Sequence, residues 1–111
     1  GNLRVQRWLK AEMHADDAAV TAWLHHWMHG GLAALEQFAA QHGGNFLFGD
    51  VPGLADLCLV PQLYNARRFA LALDQFPRLL AVESRIAATA WAHAAHPDSC
   101  AILPYTSAVP N

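Results

Sequence analysis

Hydrophobic residues recur along most of the chain at intervals of three and four positions, the spacing of an amphipathic α-helix. Polar or glycine-rich breaks divide this pattern into four segments: residues 3–13, 18–41, 54–69 and 77–88. The short apolar run between the second and third segments is not predicted as a strand, because three residues without a partner strand cannot form a sheet. The pattern therefore predicts an all-α protein, a bundle of four to five helices.

The second segment is the longest and carries a broad apolar face. Its apolar positions are Trp23, Leu24, Trp27, Met28, Leu32, Leu35 and Phe38. Asp16 and Asp17 precede it, where negative charge favours a helix N-terminus, and Gly43 follows as a stop signal. Gly30 and Gly31 interrupt it at about 1 kcal/mol each relative to alanine. We interpret this pair as marking a kink or a close crossing with another helix.

The third segment is apolar on almost every side in its first half. A helix of this kind is expected to be buried all round, and Cys58 within it is expected to behave as a small buried hydrophobe. Asp56 stands three positions after Gly53, so that its carboxylate can reach back to the backbone N–H of Gly53. We therefore interpret Gly53 and Asp56 as the structural cap of this helix.

The end of the chain changes from helical to extended character. Pro77 is predicted to open a fourth helix. Its expected buried positions are Leu79, Leu80, Val82 and Ile86. Residues 90–95 are expected to add a short helical turn, and the prolines beyond them predict an extended segment. The chain is thus divided into a helical domain, residues 1–96, and an extended C-terminal tail, residues 97–111.

Composition adds an expectation about partners. Hydrophobic residues make up 54% of the 111 positions and charged residues 14%, against roughly 25% charged in typical soluble domains. Because a short chain has a large surface for its volume, part of its apolar surface is expected to meet a second subunit or another domain. Seven Lys and Arg against nine Asp and Glu exclude nucleic acid as a partner. No segment is predicted to span a membrane, and the spacing of the two cysteines fits a reducing, cytoplasmic setting.

His25 and His29 are the first candidate chemical group. They lie four positions apart, a spacing that lets one helix offer two imidazoles to a metal ion. Two ligands fall short of a complete site, and no carboxylate accompanies them in the pattern that a metalloprotease needs. The pattern therefore favours polar helix positions beside a Trp-rich face, and no metal is assigned.

Arg67 and Arg68 are the second candidate group, at the end of the third segment. Cations in the last turn of a helix complement its dipole by about 0.3–1 kcal/mol. Two arginines at the point where a helix leaves the core also suit a substrate carboxylate. The spacing alone favours the electrostatic role. Because no nucleophile–base arrangement can be assembled from the sequence, no catalytic residue is assigned, and this chain alone is expected to be inactive.

The third segment and the loop before it resemble a known family. The run FGDVPGLADLCLVPQLYNARRF, residues 48–69, is similar to the capping segment and following helix in the C-terminal domain of zeta-class glutathione transferases, the maleylacetoacetate isomerase family. Residues 2–5, NLRV, resemble the family's first C-domain helix, and residues 23–27 with 34–36 resemble its second. The family usually has Thr or Ser where Gly53 stands, so the cap here lacks a hydroxyl.

The resemblance implies a glutathione transferase C-terminal-like helical bundle that lacks the N-terminal thioredoxin-like domain. In the complete protein it implies glutathione-dependent cis–trans isomerisation of maleylacetoacetate or a similar dicarboxylate, in aromatic amino acid catabolism. Glutathione would be bound mainly by the N-terminal domain. Arg68, Asn2 and Arg4 match substrate-side positions of the family, which reverses the electrostatic interpretation of Arg68. The implied partners are the thioredoxin-like domain and a second copy in a homodimer; the alternative is a stand-alone helical binding or dimerisation module without catalysis.

Overall fold

Helices are the regular elements of the computed structural model, which describes residues 2–89 and 93–94. Helix α1 covers Asn2–Glu12, α2 covers Asp17–His42, α3 covers Leu54–Arg68 and α4 covers Pro77–Ala87. The four predicted segments are confirmed, and each end agrees to within one residue. Within this part of the chain the loop before α3 forms only an isolated bridge between Phe46 and Gly49, so the absence of a strand there is also confirmed. Apart from residues 93–94, the predicted turn at 90–95 and the tail at 97–111 lie outside the described residues.

The start of α2 is fixed by its two acidic residues. Asp16 is the N-cap, and its carboxylate accepts a hydrogen bond of 2.8 Å from the backbone N–H of Ala19. Asp17 forms an ion pair with Lys10 of α1. The hydrogen bond from Lys10, together with its positive charge, holds the pKa of Asp17 below its ordinary value. The acidic start predicted for α2 is therefore confirmed, and it also ties α2 to α1.

The core lies between α2, α3 and α4, while α1 packs along α2. Its buried residues are Leu32, Ala39, Leu47, Leu59, Leu63, Ala66, Leu73, Phe76, Leu79, Val82 and Ile86. Leu47 belongs to the loop before α3 and is completely buried, so this loop closes one end of the core. Three of the four expected core positions of α4 are confirmed, and the fourth, Leu80, is half-buried.

Helix α4 is held by a side chain from α2. No side chain of its own segment caps α4. The carboxylate of Glu36 accepts hydrogen bonds of 3.0 Å from the backbone N–H groups of Arg78 and Leu79. Its negative charge also complements the dipole at the start of α4. Helix α2 therefore contributes both apolar packing and a cap to α4.

The glycines of α2 behave differently from the prediction. Helix α2 continues without a break through Gly30 and Gly31, and a Cβ added at either would have no atom of another element within 4 Å. The predicted close crossing is therefore wrong within the described part of the chain, and the kink stays a prediction. Gly43 does need to be glycine, because a Cβ there would collide with the backbone oxygen of Ala39.

Candidate functional site

The start of α3 is organised by Asp56, a fully buried carboxylate. Its Oδ2 accepts a hydrogen bond of 2.7 Å from the backbone N–H of Gly53, the N-cap residue. Its Oδ1 accepts a second bond of 2.9 Å from the backbone N–H of Leu47. The predicted cap is confirmed, and the bond to Leu47 adds a function that the local spacing does not reveal. One side chain both starts α3 and anchors the loop that closes the core.

Helix α3 is buried on only one face, contrary to the prediction. The buried positions are Asp56, Leu59, Leu63 and Ala66. Leu54 and Leu57 are 76% and 47% exposed, and Cys58 is exposed as well. The expectation of a buried Cys58 is therefore wrong, because the packed helices cover one side of α3 and no described residue covers the other. Helix α3 presents an apolar face outward.

A groove of about 500 Å³ lies between α2 and α3. It is lined by Trp27, Met28, Gly31, Leu32, Leu35, Ala55, Cys58, Leu59 and Gln62. Trp27, which belongs to the apolar face predicted for α2, is 62% exposed. Contiguous apolar surface of this kind is typical of a site that contacts another protein or a ligand. The excess of hydrophobic residues in the composition is thus located in part at this groove and on the neighbouring face of α3.

The two arginines at the end of α3 have different environments. The guanidinium of Arg67 donates two hydrogen bonds of 2.6 Å to the two carboxylate oxygens of Glu83 in α4. These bonds raise the pKa of Arg67. Arg68 is exposed, and its guanidinium has no hydrogen bond or ion pair to the residues that the structure describes. The two arginines therefore do not act as a pair: Arg67 joins α3 to α4, and Arg68 remains available to a ligand.

The chain turns sharply after Arg68. Ala70 has a φ of 57°, in the left-handed region. Its backbone N–H donates to the Arg67 oxygen, and the N–H of Leu71 donates to the Ala66 oxygen, each at 2.9 Å. This pair of bonds is the Schellman motif that commonly ends a helix, with alanine at the position where glycine is usual. The turn satisfies the backbone oxygens of Ala66 and Arg67, the two residues before Arg68.

His25 and His29 contact the connection between α3 and α4. The Nε2 of His25 lies 2.5 Å from the backbone oxygen of Phe69, and the Nε2 of His29 lies 3.2 Å from Oε1 of Gln75. The ring of His29 also packs against Phe76, with 5.5 Å between ring centroids. Within residues 2–89 and 93–94, no group of three or more His, Cys, Asp or Glu could hold a metal ion. The two histidines therefore attach α2 to the segment that follows Arg68.

The other predicted substrate-side residues lie on α1. Asn2 is the first residue of α1, and Arg4 is an exposed residue in its first turn. Helix α1 packs on α2. Neither the Arg4 nor the Arg68 side chain forms a hydrogen bond or ion pair with another described residue, so no described contact joins the two into one site.

Sequence reasoning missed Glu36, Glu83 and the structural role of His25. Their partners stand 42, 16 and 44 positions away in the chain. No local spacing rule connects residues so far apart. A helical wheel of α2 with Glu36 on the same side as Leu32 could have suggested that this acid faces a neighbouring helix.

These observations define the class of protein: an all-α helical domain with a buried acid cap on one helix and an uncovered apolar face. The family is equally clear, since the family model described as "Glutathione S-transferase, C-terminal domain" matches residues 28–85, about half of the chain. The chain belongs to the glutathione S-transferase C-terminal domain family. No helix within the described ranges is both long and apolar enough to cross a membrane.

Two curated relatives of this chain are named as isomerases. The maleylacetoacetate isomerase of Pseudomonas aeruginosa is 49% identical over 82 residues, which cover 74% of this chain and 38% of that protein. The maleylpyruvate isomerase of Ralstonia sp. is 39% identical over 104 residues, which cover 88% of this chain and 49% of that protein.

A solved structure has the same fold over almost all of this chain. It is the crystal structure of maleylacetoacetate isomerase from Anaeromyxobacter dehalogenans with bound dicarboxyethyl glutathione and citrate in the active site. It matches with a TM-score of 0.83 at 42% identity, over 95% of this chain and 46% of that chain. This chain therefore spans less than half the length of each of the three proteins. The resemblance to the zeta class inferred from residues 48–69 is confirmed.

Proposed function

We propose that this chain is the substrate-side helical domain of a zeta-class glutathione transferase. The complete protein would catalyse the glutathione-dependent cis–trans isomerisation of maleylacetoacetate or a similar dicarboxylate, such as maleylpyruvate. Two relatives that cover most of this chain are named maleylacetoacetate isomerase and maleylpyruvate isomerase. The observation that carries the proposal within this chain is the contrast between Arg67, paired with Glu83, and Arg68, which is exposed and pairs with no described residue.

Arg68 is proposed to bind a carboxylate of the substrate. A guanidinium group offers two parallel N–H donors that match the geometry of a carboxylate. Arg67 cannot take this role without breaking its two bonds to Glu83. Asn2 and Arg4, at the start of α1, are proposed as further substrate-binding residues. The domain would thus hold and orient an anionic substrate, and no catalytic residue is proposed within it.

Glutathione is the proposed cofactor, and it would be held mainly by an N-terminal thioredoxin-like domain. When bound, it supplies the thiolate that adds reversibly to the conjugated double bond and so permits rotation about it. The exposed Leu54, Leu57 and Cys58 on α3 offer the apolar surface on which such a domain can pack.

A homodimer and a cytoplasmic location complete the proposal. Trp27 and Phe38 leave exposed aromatic surface on α2 that suits contact with a second copy. In a reducing compartment Cys58 and glutathione both remain thiols.

The direct test is an isomerase assay on the protein that carries this chain together with its glutathione-binding domain. We expect isomerisation of maleylacetoacetate or maleylpyruvate with glutathione present, and none above the uncatalysed rate without it. A comparison of kcat/KM for the two substrates identifies the preferred one. Absence of glutathione-dependent turnover with both substrates would contradict the proposal.

A stand-alone binding or dimerisation module is the second candidate, favoured by the apolar groove between α2 and α3. The two candidates differ in what must cover the groove and the face of α3. If the chain is a dimerisation module, its 111 residues alone form a stable dimer in sedimentation experiments and show no turnover. If the isomerase domain is correct, joining the thioredoxin-like domain protects the Cys58 thiol from alkylation.

A further inference from the structure

We infer that His25 is a positioning residue for Arg68: by holding the backbone that follows α3, it sets where the exposed guanidinium stands relative to a substrate carboxylate. The inference rests on the proposed function, because it concerns how the proposed substrate arginine is held. His25 lies on α2, 43 positions before Arg68 in the sequence.

The contact itself fixes the state of the imidazole. The Nε2 atom of His25 lies 2.5 Å from the backbone oxygen of Phe69, and the histidine is half-buried. A backbone oxygen only accepts hydrogen bonds, so Nε2 must carry a hydrogen and donate it. Phe69 is the C-cap of α3 and directly follows Arg68.

The position of this contact complements the other bonds of the helix end. The Schellman motif satisfies the backbone oxygens of Ala66 and Arg67 from within the chain itself. The oxygen of Phe69 points instead to another helix, where His25 provides the donor. The bond thus ties the last turn of α3 to α2 at the residue next to Arg68.

The surrounding contacts leave Arg68 as the ligand-binding member of this region. Arg67 is held by Glu83 of α4, and His29 holds the same connection six residues further on, at Gln75. The backbone around Arg68 is therefore anchored from both neighbouring helices while its side chain is exposed. A small displacement of a group that binds substrate costs up to about a hundredfold in enzymes. Because His25 acts on the backbone oxygen of Phe69, next to Arg68, its loss should weaken substrate binding rather than the chemical step.

The test compares His25→Met with His25→Gln in the complete glutathione-dependent isomerase. The two replacements are similar in length, and only glutamine offers an N–H donor to the Phe69 oxygen. We expect His25→Met to raise KM for the dicarboxylate about tenfold with kcat changed less than about twofold. His25→Gln should stay within about twofold of the parent protein in both constants. KM for glutathione should not change in either variant.

His26→Met is the matched control. His26 is the neighbouring histidine, is exposed, and packs its ring edge-on against Trp27 at 5.1 Å between centroids. The His26→Met change should leave both constants unchanged.

Hydrogen exchange measured on the same proteins should show faster exchange of the amides of Ala70 and Leu71 in His25→Met, with the interior of α2 still protected. If His25→Met does not fold, His25→Asn, an amide too short to reach Phe69, takes its place.

An Arg68→Ala arm separates the two claims. If Arg68→Ala raises KM for the dicarboxylate and His25→Met does not, the positioning role is wrong and the proposed function stands. Equal effects of His25→Met and His25→Gln also overturn the inference, since the N–H donor then has no part. If Arg68→Ala has no effect on KM, the substrate role of Arg68 fails, and the positioning role fails with it.

Discussion

Asp56 shows how one side chain can carry more than its local pattern predicts. The spacing from Gly53 predicts the cap, and the structure confirms it. The second bond, to Leu47, connects residues nine positions apart across a loop. That bond follows from the folded shape of the loop, so no helix-capping rule could have supplied it.

We predict that Asp56→Ala lowers the free energy of unfolding by about 2–4 kcal/mol. The change removes a helix cap and leaves two backbone N–H groups near the core without their acceptor. Urea denaturation followed by circular dichroism measures the loss. Asp50→Ala is the control, because Asp50 is exposed and accepts one bond, from the N–H of Asn45. Equal losses in the two variants would contradict the role given to Asp56.

We predict that Ala70→Gly raises the free energy of unfolding by about 0.5–1 kcal/mol. Alanine at a φ of 57° is strained, and glycine adopts this conformation without a steric cost. Ala72→Gly, in the same connection and without a positive φ, should be neutral or destabilising. Thermal unfolding of both variants decides the matter, and a lower melting temperature for Ala70→Gly would count against the motif.

At the scale of helices, the sequence correctly predicts where each helix begins and ends, but it does not predict which faces of α3 are buried. Segment ends agree with the structure because caps and stop signals such as Asp16 and Gly43 act within a few residues. The prediction that α3 is buried on all sides is wrong. An apolar pattern indicates that a helix favours contact with apolar surface, and the packed helices here cover only one side of α3. The bonds from Glu36 to α4 join residues more than 40 positions apart, beyond the range of any periodicity.

We predict that Glu36→Ala lowers the free energy of unfolding by about 1–2 kcal/mol, because α4 loses the acceptor for two N–H groups at its start. Glu36→Gln should lose less, since one acceptor oxygen remains while the charge and the second acceptor are lost. Gln37→Ala, an exposed neighbour on α2, should change stability by less than about 0.5 kcal/mol. Denaturant unfolding of the three variants provides the measurement, and a loss for Gln37→Ala as large as for Glu36→Ala would remove the cap as the explanation.

The contact between α1 and α2 should depend on pH. Since the pKa of Asp17 is lowered in the folded protein by Lys10, the carboxylate binds a proton less readily when folded than when unfolded. Its contribution to stability is therefore present above about pH 4 and is lost as the pH falls through the lowered pKa. An NMR titration should find that the pKa of Asp17 lies below the ordinary range of an aspartate. The change Lys10→Met should bring this pKa back into the ordinary range. An unchanged titration in Lys10→Met would show that Lys10 is not the cause.

At the scale of the whole molecule, the outward apolar surfaces and the exposed Arg68 lead to the same proposal. Helix α3 exposes Leu54 and Leu57 along its length and Arg68 at its end. A domain that packs on the apolar face of α3 would lie against the same helix that carries the arginine. The positions of the helices could be predicted from the sequence, and the resemblance to the family singled out Arg68. Only the folded structure shows that Arg67 is bonded to Glu83 of α4 and that Arg68 is not.

The measurement that tests the central claim most directly is the steady-state kinetics of Arg68→Ala in the complete isomerase, with Arg7→Ala as the control. Arg7 is an exposed arginine of α1 to which no substrate role is assigned. Loss of a charge-assisted carboxylate contact of about 1.5–3 kcal/mol corresponds to a rise in KM for the dicarboxylate of roughly 10- to 150-fold. KM for glutathione and the stability of the protein should stay the same, and Arg7→Ala should match the parent protein. An unchanged kcat/KM for the dicarboxylate in Arg68→Ala would contradict the claim that this domain holds the substrate through Arg68.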